Sequence, residues 1–386
     1  MTASSKPLAG IRVLTLEQFG AGPYGTMFLA ELGAEVIKVE APDGDPSRQV
    51  GPYRLGEDDS EYFQAWNLGK KSVTLDLKSR DGRAKFEALV RTADCVVNNM
   101  RGTQPARLAI DYASLRHLKP SIVCLHISAY GRHNERAVNP RADWPGYDFL
   151  MQSEAGLMEL TGDPDGPPTR VGVSLIDSMS GLTGTVGLLA CLLRARTTGQ
   201  GCDVDTCLYD VAMHQLTYPG LWYLNEGDVS PRVPRSAHLS LAPVQTFPTA
   251  DGWIFIMCMT QKFWLSLCQA MDRADLLDDP RFPDPNTRAS NRAALTDALD
   301  PTFRSRTTAA WLEKFNGLLP AAPVYRLDQA LDSEFARATG MVSAVPHPAK
   351  GSLRVIANPL RIDGERLAQA ACAPLGANNA LLDKLP

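Results

Sequence analysis

The chain is poor in the residue patterns that build metal centres and disulfide frameworks. Its eight cysteines are scattered without a Cys-x-x-Cys pair, and its six histidines lie far apart. Zinc sites and disulfide scaffolds need closely spaced cysteine or histidine residues. We therefore expect no metal site, and reduced thiols of the kind found in cytoplasmic proteins.

Strong charge of one sign and long apolar runs are also missing. The 386 residues carry 39 Lys and Arg against 43 Asp and Glu, a net charge of −4, which does not favour a nucleic-acid-binding protein. The longest apolar stretch, 181–193, is interrupted by glycine and threonine and is shorter than the roughly 20 residues that cross a bilayer. Residues 1–7 are polar, unlike a signal peptide. We expect a cytoplasmic protein that binds neither nucleic acid nor membrane.

What the sequence does contain is an alternation of strand and helix patterns in its first third. Buried or β-branched runs predict strands at 11–16, 35–39, 72–77, 95–97 and 121–127. Amphipathic runs predict helices at 23–32 and 81–91. Strands that alternate with helices indicate an α/β domain built on a mostly parallel sheet.

The rest of the chain indicates a second, smaller domain. We predict helices at 147–160, 178–196 and 211–224 and a strand at 171–176, followed by a polar linker near 226–234. From about 240 an α+β unit begins, with Asp251-Gly252 as a hairpin turn. The last sixty residues are too few for their own core. The predicted domains are 1–225 with 330–386, and 226–329.

A glycine motif follows the first predicted strand. Gly20, Gly22 and Gly25 form Gly-x-Gly-x-x-Gly before a helix, and Glu40 ends the next strand, which is the pattern of a dinucleotide fingerprint. The alternative is that the glycines only permit close packing of helix and sheet. Pro23 favours this alternative, because it removes one amide that would face a phosphate.

Asp177 lies between the predicted strand 171–176 and the helix predicted from 178. One interpretation is a helix N-cap, for which aspartate is favoured. The other is a nucleophile: the positive end of the helix would keep the carboxylate ionised, and an ionised carboxylate attacks acyl carbons. Gly172 and Gly181 on either side would leave room for a bulky thioester.

Basic and aromatic residues suggest further contacts. Lys70, Lys71, Lys78, Arg101 and Arg107 lie in predicted loops, where most such residues are solvated surface. The stretch 98–102 differs because it follows a strand, and the carboxyl ends of parallel strands bind ligands such as diphosphates. The aromatic residues Trp144, Tyr147, Trp222 and Trp264 we expect in the core.

Over nearly its whole length the chain resembles the family III CoA-transferases, the family of formyl-CoA transferase and carnitine CoA-transferase. The similar segments are LAGIRVL at 8–14, AGP at 21–23, LGAEVIKVE at 32–40, Gly44-Asp45 with Arg48, NLGKKS at 67–72, LDLK at 75–78, PGYDF at 145–149 and TGQG at 198–201. The stretch 171–181 carries the aspartate of the family at Asp177.

The resemblance implies a fold, a reaction and a set of contacts. The fold would be α/β, with a Rossmann-like doubly wound large domain, a smaller α+β domain and an interlocked homodimer. Asp177 would attack an acyl-CoA, form a mixed anhydride and then an aspartyl-CoA thioester, and pass CoA to a small carboxylic acid. Coenzyme A would be a substrate, with no permanently bound cofactor. The implied CoA-binding residues are Gly20, Leu75, Asp76, Leu77, Lys78, Asn99, Met100, Arg101, Arg107, Tyr130 and Tyr147.

Two departures from the family pattern and three rival functions remain. Ala41 stands where an arginine is common in the family, so an ionic contact to CoA is missing or is supplied by Arg48. The segment 257–262 lacks the glycine-rich loop of oxalate-type members, which argues against oxalate as substrate. A 2-methylacyl-CoA racemase shares the fold but has histidine where Tyr147 stands. The other rivals are a non-catalytic CoA-binding subunit and an NAD-dependent dehydrogenase.

Overall fold

A computed structural model of the chain describes residues 6–133 and 138–385, so residues 1–5 of the polar N-terminal stretch lie outside the described part. The chain divides into two compact units. The first unit is Met1–Ala155, Gly172–Leu216 and Glu334–Pro386, and the second is Gly156–Val171 and Thr217–Ser333. Compared with the predicted domains, 156–171, 217–225 and 330–333 fall in the second unit.

The first unit contains a six-stranded sheet. Its strands are β1 Arg12–Leu16, β2 Glu35–Glu40, β3 Lys71–Thr74, β4 Cys95–Asn98, β5 Val123–Ser128 and β6 Cys202–Cys207. All neighbouring strands are parallel, in the order β3-β2-β1-β4-β5-β6. This is the strand order of the doubly wound dinucleotide-binding fold, so the predicted Rossmann-like architecture is confirmed.

Helices connect these strands. They are α1 Ala21–Glu31, α2 Glu61–Asn67, α3 Arg80–Thr92, α4 Gln104–Arg107, α5 Tyr112–Leu115, α6 Asp148–Glu154, α7 Leu175–Thr198 and α8 Leu208–His214. Helix α3 begins with an N-cap: the Ser79 side chain accepts a hydrogen bond from the Gly82 N–H. The same helix buries Phe86, Leu89 and Val90 in the core that contains the sheet residues.

Helix α7 is the longest helix of the described residues, and it packs against α1, β5 and β6. By length and composition it is apolar enough to cross a membrane, with a mean hydropathy of 1.5. Gly181 permits its close approach to α1, because a Cβ there would lie 2.4 Å from the Ala21 carbonyl oxygen. The apolar stretch predicted from the sequence, 181–193, was shorter than this helix and below spanning length.

The second unit is α+β, as predicted. Its antiparallel sheet has the order β7-β8-β9, with β7 Val244–Pro248, β8 Trp253–Met257 and β9 Ala321–Pro323. The helices are α9 Thr217–Glu226, α10 Gln261–Ala270, α11 Pro285–Ser290, α12 Arg292–Arg304, α13 Thr308–Phe315 and α14 Leu327–Leu331. Asp251-Gly252 lies in the turn between β7 and β8, which confirms the predicted hairpin. Trp264 is fully buried in the core of this unit.

The chain returns to the first unit after Ser333. The elements there are α15 Glu334–Ala338, β10 Val342–His347, β11 Gly351–Ile356, β12 Arg361–Ile362 and β13 Glu365–Arg366. Further on, the Ala373 N–H donates to the Lys70 carbonyl at 3.0 Å, and the Asn378 N–H donates to the Ser72 carbonyl at 2.9 Å. These bonds tie the end of the chain to β3 at the edge of the sheet.

Four local predictions were wrong, two of them for a physical reason that the structure shows. The stretch 171–176 contains no strand, because Leu175 and Ile176 form the first turn of α7. Strand β6 was missed because Asp203 and Asp205 make it polar, as an edge strand permits. The predicted helix 211–224 is two helices, α8 and α9, and the predicted helix 147–160 extends only over α6.

Candidate active site

Asp177 lies in the first turn of α7, not at its N-cap. The N-cap residue is Ser174, and Asp177 is the third residue of the helix. The N-cap interpretation is therefore wrong in its detail, although the carboxylate does lie at the positive end of a helix. The side chain faces a cleft in the first unit, whose wall includes Gly20, Asn99, Tyr147 and Asp177 itself.

A second aspartate performs the capping that was predicted for Asp177. The Asp177 N–H donates to Asp148 Oδ2 at 2.9 Å, and Gln152 Nε2 donates to Asp148 Oδ1 at 2.6 Å. Asp148 is buried and begins α6. It satisfies a free amide of α7 from 29 residues away, and its carboxylate stands close to that of Asp177. In the sequence, Asp148 is noticeable only as part of the family-like segment 145–149, which does not indicate that it accepts a hydrogen bond from Asp177.

The surroundings of Asp177 oppose its ionisation. Burial, with a smaller contribution from the negative charge of Asp148, raises the pKa of Asp177 to about 7. The carboxylate is therefore less readily ionised than its place at a helix end led us to expect, because desolvation and a like charge both raise its pKa. Near neutrality both protonation states are populated, and the ionised form is more basic than an ordinary aspartate.

The glycines of the Gly-x-Gly-x-x-Gly motif make room for other parts of the first unit. A Cβ at Gly20 would lie 2.3 Å from Asp177 Oδ2, and one at Gly25 would lie 2.4 Å from the Gly181 carbonyl oxygen. Gly25 thus permits the crossing of α1 and α7, and Gly20 permits the approach of the carboxylate. The close-packing alternative describes these contacts, and the dinucleotide interpretation is not needed for them.

The residue before Gly20 has an uncommon backbone conformation. Phe19 has φ +60°, in the left-handed region that bulky residues rarely occupy. Its ring packs edge-on against Tyr147, with centroids 6.0 Å apart. Strained residues of this kind concentrate at functional sites. Here the conformation brings the Gly20 backbone beside Asp177.

Two clefts adjoin at the carboxyl ends of the central strands. The first, of about 280 Å³, lies beside the ends of β1, β2, β3 and β4, and we call it the strand-end cleft. The second, of about 300 Å³, contains Asp177 and is called the Asp177 cleft. Gln18, Asn99, Met100 and Gln104 line both clefts. Such strand ends are where doubly wound folds bind ligands.

The structure brings most of the proposed contact residues to these clefts. Leu75, Asp76, Leu77 and Lys78 line the strand-end cleft, together with Asn99 and Met100. Gly20, Arg101 and Tyr147 line the Asp177 cleft, again with Asn99 and Met100. The side chains of Lys78 and Arg101 are not buried, and neither forms an ion pair within the described part of the chain.

Two proposed contact residues line neither cleft. Arg107 is exposed at the end of α4, with its guanidinium 3.7 Å from the Asp143 carboxylate. The Tyr130 hydroxyl donates to Glu154 Oε2 at 2.9 Å, and its ring packs edge-on against Trp144. Tyr130 therefore supports Trp144, which does line the Asp177 cleft. Trp144 and Tyr147 are about half exposed, so the expectation that they belong to the core is wrong.

Glu40 and Arg48 are bound to each other rather than to a ligand. Arg48 Nε and Nη2 donate to the two Glu40 carboxylate oxygens, both at 2.8 Å, and the Ser72 hydroxyl donates to Oε1 at 2.6 Å. The predicted contact of Glu40 with a ribose is thereby excluded, because its oxygens are already occupied. Arg48 is 1% exposed, so it cannot supply the ionic interaction with CoA that Ala41 is unable to make.

Lys70 is expected in a loop, but the structure buries this residue, which is 2% exposed. Its ammonium donates to Glu17 Oε1 at 2.8 Å and to the Pro23 carbonyl at 2.9 Å. Burial lowers the pKa of Lys70 to about 8 despite the attraction of Glu17. Lys71 lies nearby in an ion pair with Glu35. Neither lysine is available to hold a phosphate.

Sequence reasoning missed several residues of the site. Gln18 and Gln104 line both clefts, and Trp144 lines the Asp177 cleft. Gln18 directly precedes the glycine motif and Gln104 follows the 98–102 stretch, so closeness to a recognised motif was the available signal. Among the described residues no group of three His, Cys, Asp or Glu is placed to hold a metal ion.

The fold and the site together define a protein with a Rossmann-order sheet and a carboxylate of raised pKa in a cleft at the strand ends. The model of CoA-transferase family III matches residues 8–379. The chain therefore belongs to CoA-transferase family III and is an enzyme of the CoA-transferase class.

Individual relatives agree with this assignment. The chain is 33% identical to the succinyl-CoA:mesaconate CoA-transferase of Haloarcula hispanica, over 95% of this chain and 93% of the relative. It is also 33% identical to the succinate–glutarate CoA-transferase of Agrobacterium fabrum, over 87% and 84% of the two chains. Among solved structures, a CAIB/BAIF family protein from Brucella suis superposes with a TM-score of 0.85 at 30% identity, covering 99% of both chains. CoA-transferases use CoA thioesters as substrates.

Proposed function

We propose that the enzyme moves coenzyme A from an acyl-CoA donor to a carboxylic acid acceptor through covalent intermediates on Asp177. The observation that supports this most directly is the position of Asp177: a carboxylate without a described hydrogen-bond donor, in a cleft that adjoins a second cleft at the strand ends. The arrangement suits a long ligand with a reactive thioester at one end.

The proposed reaction begins with two exchanges. Ionised Asp177 attacks the thioester carbonyl of the donor, so that an Asp177–acyl anhydride forms and the CoA thiolate leaves. The thiolate then attacks the Asp177 carbonyl carbon of the anhydride, which gives an aspartyl-CoA thioester and releases the donor acid. Each step replaces one acyl bond by another, so the covalent route needs no external energy source.

The acceptor reverses these exchanges. Its carboxylate attacks the Asp177 carbonyl of the thioester, which forms a second anhydride and again releases the CoA thiolate. The thiolate attacks the acceptor's carbonyl carbon, so the new acyl-CoA leaves and the Asp177 carboxylate is restored. Negative charge develops on oxygen or sulfur at each step, and the N-terminus of α1, where Gly20 and Ala21 line the Asp177 cleft, would stabilise it.

The substrate would lie across both clefts. The nucleotide end of CoA would occupy the strand-end cleft, and the thioester would reach the Asp177 cleft past Asn99 and Met100. Lys78 and Arg101, whose cationic groups lie at the two clefts without ion-pair partners in the described chain, would contact the phosphates. Relatives named for succinyl-CoA suggest succinyl-CoA with mesaconate or glutarate as the first pair to test.

The experiment is to supply acyl-CoA without an acceptor. An aspartyl-CoA thioester should accumulate, and hydroxylamine should convert it to a hydroxamate that mass spectrometry locates at Asp177. Free CoA and donor acid without any modification of this residue would contradict the covalent route. The same assay on Asp177→Asn, which cannot form the anhydride, provides the blank.

We also propose that two chains form an interlocked homodimer, each threading a ring formed by the other. The support is membership of the family together with the chain path, which leaves the first unit after Leu216 and returns to it at Glu334. Light scattering should give twice the 42.0 kDa mass of the chain at micromolar concentration. A monomer there would contradict the proposal.

A further inference from the structure

The two clefts share a wall in which the Asn99 side chain is hydrogen-bonded to the backbone of Gln18. Asn99 Oδ1 accepts a hydrogen bond from the Gln18 N–H at 2.9 Å, and Asn99 Nδ2 donates to the Gln18 carbonyl at 2.6 Å. Gln18 belongs to the loop after β1, and Asn99 and Met100 belong to the loop after β4. The two loops therefore hold each other, so a displacement of the β4 loop would also displace the β1 loop.

A buried chain of side chains lies directly beneath the β4 loop. Asn98 is completely buried at the end of β4; its Oδ1 accepts from the Met100 N–H at 3.4 Å, and its Nδ2 lies 2.8 Å from His126 Nδ1. His126, 1% exposed in β5, has its Nε2 2.8 Å from Asp203 Oδ1 in β6. Because the amide nitrogen of Asn98 donates to Nδ1, the ring proton is on Nε2 and is donated to Asp203.

The outer end of this chain is firmly anchored. Asp203 also accepts from the Tyr112 N–H at 2.8 Å, and the Arg132 guanidinium lies 3.6 Å from its second oxygen. Arg132 is shared with Asp111 and Asp205. Burial would raise the pKa of Asp203, but the hydrogen bond from His126 and the charges around it lower the pKa below its usual value. The acceptor for His126 is therefore an ionised carboxylate.

Polar side chains in the interior of a sheet are costly, and apolar residues would pack there without needing partners. We propose that Asn98, His126 and Asp203 are positioning residues for acyl-CoA binding: their hydrogen-bond chain crosses three strands and fixes the loop Asn99–Arg101, which forms the shared wall of both clefts. The inference rests on the proposed function, since it takes acyl-CoA as the ligand of these clefts. None of the three residues needs to touch the substrate.

The kinetic test separates positioning from chemistry. In Asn98→Ala and His126→Ala the KM for acyl-CoA should rise about tenfold, as for a lost buried hydrogen bond, while kcat stays within about twofold. In His126→Gln, which keeps a donor near the Nε2 position, the KM should stay within about threefold of the original enzyme. Circular dichroism and thermal unfolding establish that each variant is folded, and if His126→Ala does not fold, the other two variants carry the test.

The chain contains a matched control for a purely structural role. His347, also buried, lies with its Nε2 3.0 Å from Asp59 Oδ2 in the same unit, and neither residue lines the two clefts. His347→Ala should lower stability as much as His126→Ala but leave the KM unchanged. An equal rise of KM in His347→Ala, or a KM for Asn98→Ala within about twofold of the original value, would overturn the proposal.

Direct binding keeps this inference distinct from the proposed reaction. Calorimetric titration with free CoA needs no transfer, and Asn98→Ala should weaken CoA binding about tenfold in the Asp177→Asn background as well as in the original enzyme. Weakened binding together with a fully active Asp177→Asn would refute the covalent mechanism and leave the positioning role intact. Unchanged CoA affinity would refute the positioning role alone.

Discussion

Asp177 and Glu40 are two carboxylates of the same unit that differ in their hydrogen-bond partners and in the direction of their pKa shifts. Glu40 accepts two hydrogen bonds from Arg48 and one from Ser72. Burial would raise the pKa of Glu40, but its hydrogen bond with Arg48 and the charges of Lys38 and Arg48 lower it below the usual value. Burial and, to a smaller extent, the negative charge of Asp148 raise the pKa of Asp177 to about 7, and no cationic partner among the described residues offsets them. We expect the paired carboxylate to act in the stability of the fold and, under the proposed function, the unpaired one to act in the reaction.

The difference shows how to separate structural from reactive charge in this family of folds. A buried charge whose oxygens are all occupied has no capacity left for a substrate, however suggestive its place in a sequence motif. A carboxylate that is desolvated but unpaired is less stable when ionised, and this makes it a stronger base and nucleophile. Four predictions test this contrast.

The largest effect is expected for Asp177→Asn. Asparagine keeps the size of the side chain but cannot form an anhydride, so transfer should fall by about four orders of magnitude while the fold is retained. A steady-state transfer assay with succinyl-CoA measures this. Asp81→Asn is the control, since Asp81 is also in the first turn of a helix but is exposed. An active Asp177→Asn variant would contradict the proposed covalent mechanism.

Glu40→Gln should act on stability instead. It leaves the buried Arg48 guanidinium without its counter-charge, and breaking such a pair costs about 3 to 5 kcal/mol of unfolding free energy. Urea unfolding measures the loss. The matched control is Glu35→Gln, because Glu35 pairs with Arg12 and Lys71 at the surface, where the loss should be about 1 kcal/mol or less. Equal losses would mean that burial of the pair does not matter.

The contrast also marks what the sequence can predict. The parallel α/β architecture follows from local patterns, and the family follows from ordered motifs along the whole chain. The pairing of Glu40 with Arg48 does not, because a motif containing both residues is equally compatible with ligand contacts. Asp148 was invisible as the partner of Asp177, since only the tertiary fold brings α6 to the first turn of α7.

The local structure around Asp177 was mistaken for a similar reason. Val171, Val173, Leu175 and Ile176 give the apolar density of a strand, yet Val173 is 66% exposed and Leu175 already begins the helix. The sequence therefore leads to a wrong secondary structure for the residue that we propose as the nucleophile. What identified it was its place in an ordered series of motifs, and what sets its pKa is burial, which no local pattern encodes.

Gly20→Ala should weaken the reaction without a comparable effect on stability. The added Cβ would lie 2.3 Å from Asp177 Oδ2, so the carboxylate must shift. A displacement of about 1 Å at a reacting group costs on the order of a hundredfold in rate. Gly172→Ala is the control, because nothing lies within 4 Å of a Cβ there. The measurement is kcat for transfer. Similar rates for the two variants would show that a Cβ at position 20 does not displace the Asp177 carboxylate enough to affect the reaction.

The smallest effects are those of a change of one pH unit, and they follow from the raised pKa of Asp177. Only the ionised carboxylate attacks the thioester, so kcat/KM should rise about tenfold per pH unit below about 7 and level off above it. Stability should change in the opposite direction. Between pH 3.8 and about 7 the folded protein holds a proton that the unfolded chain has lost, so the contribution of this group to the unfolding free energy falls as pH rises. The whole window corresponds to roughly 4 kcal/mol at about 1.36 kcal/mol per unit.

Asp177→Asn removes that titration. Thermal unfolding at a series of pH values should therefore show that the variant gains stability relative to the original protein as pH rises from about 4 to about 7, with a constant difference above this range. Taking the difference between the two proteins cancels the titration of groups that do not interact with Asp177; Asp148 is not among these groups, because its charge contributes to the raised pKa of Asp177. Parallel curves would mean that Asp177 ionises freely in the fold, and the contrast between the two carboxylates would then rest on hydrogen bonding alone.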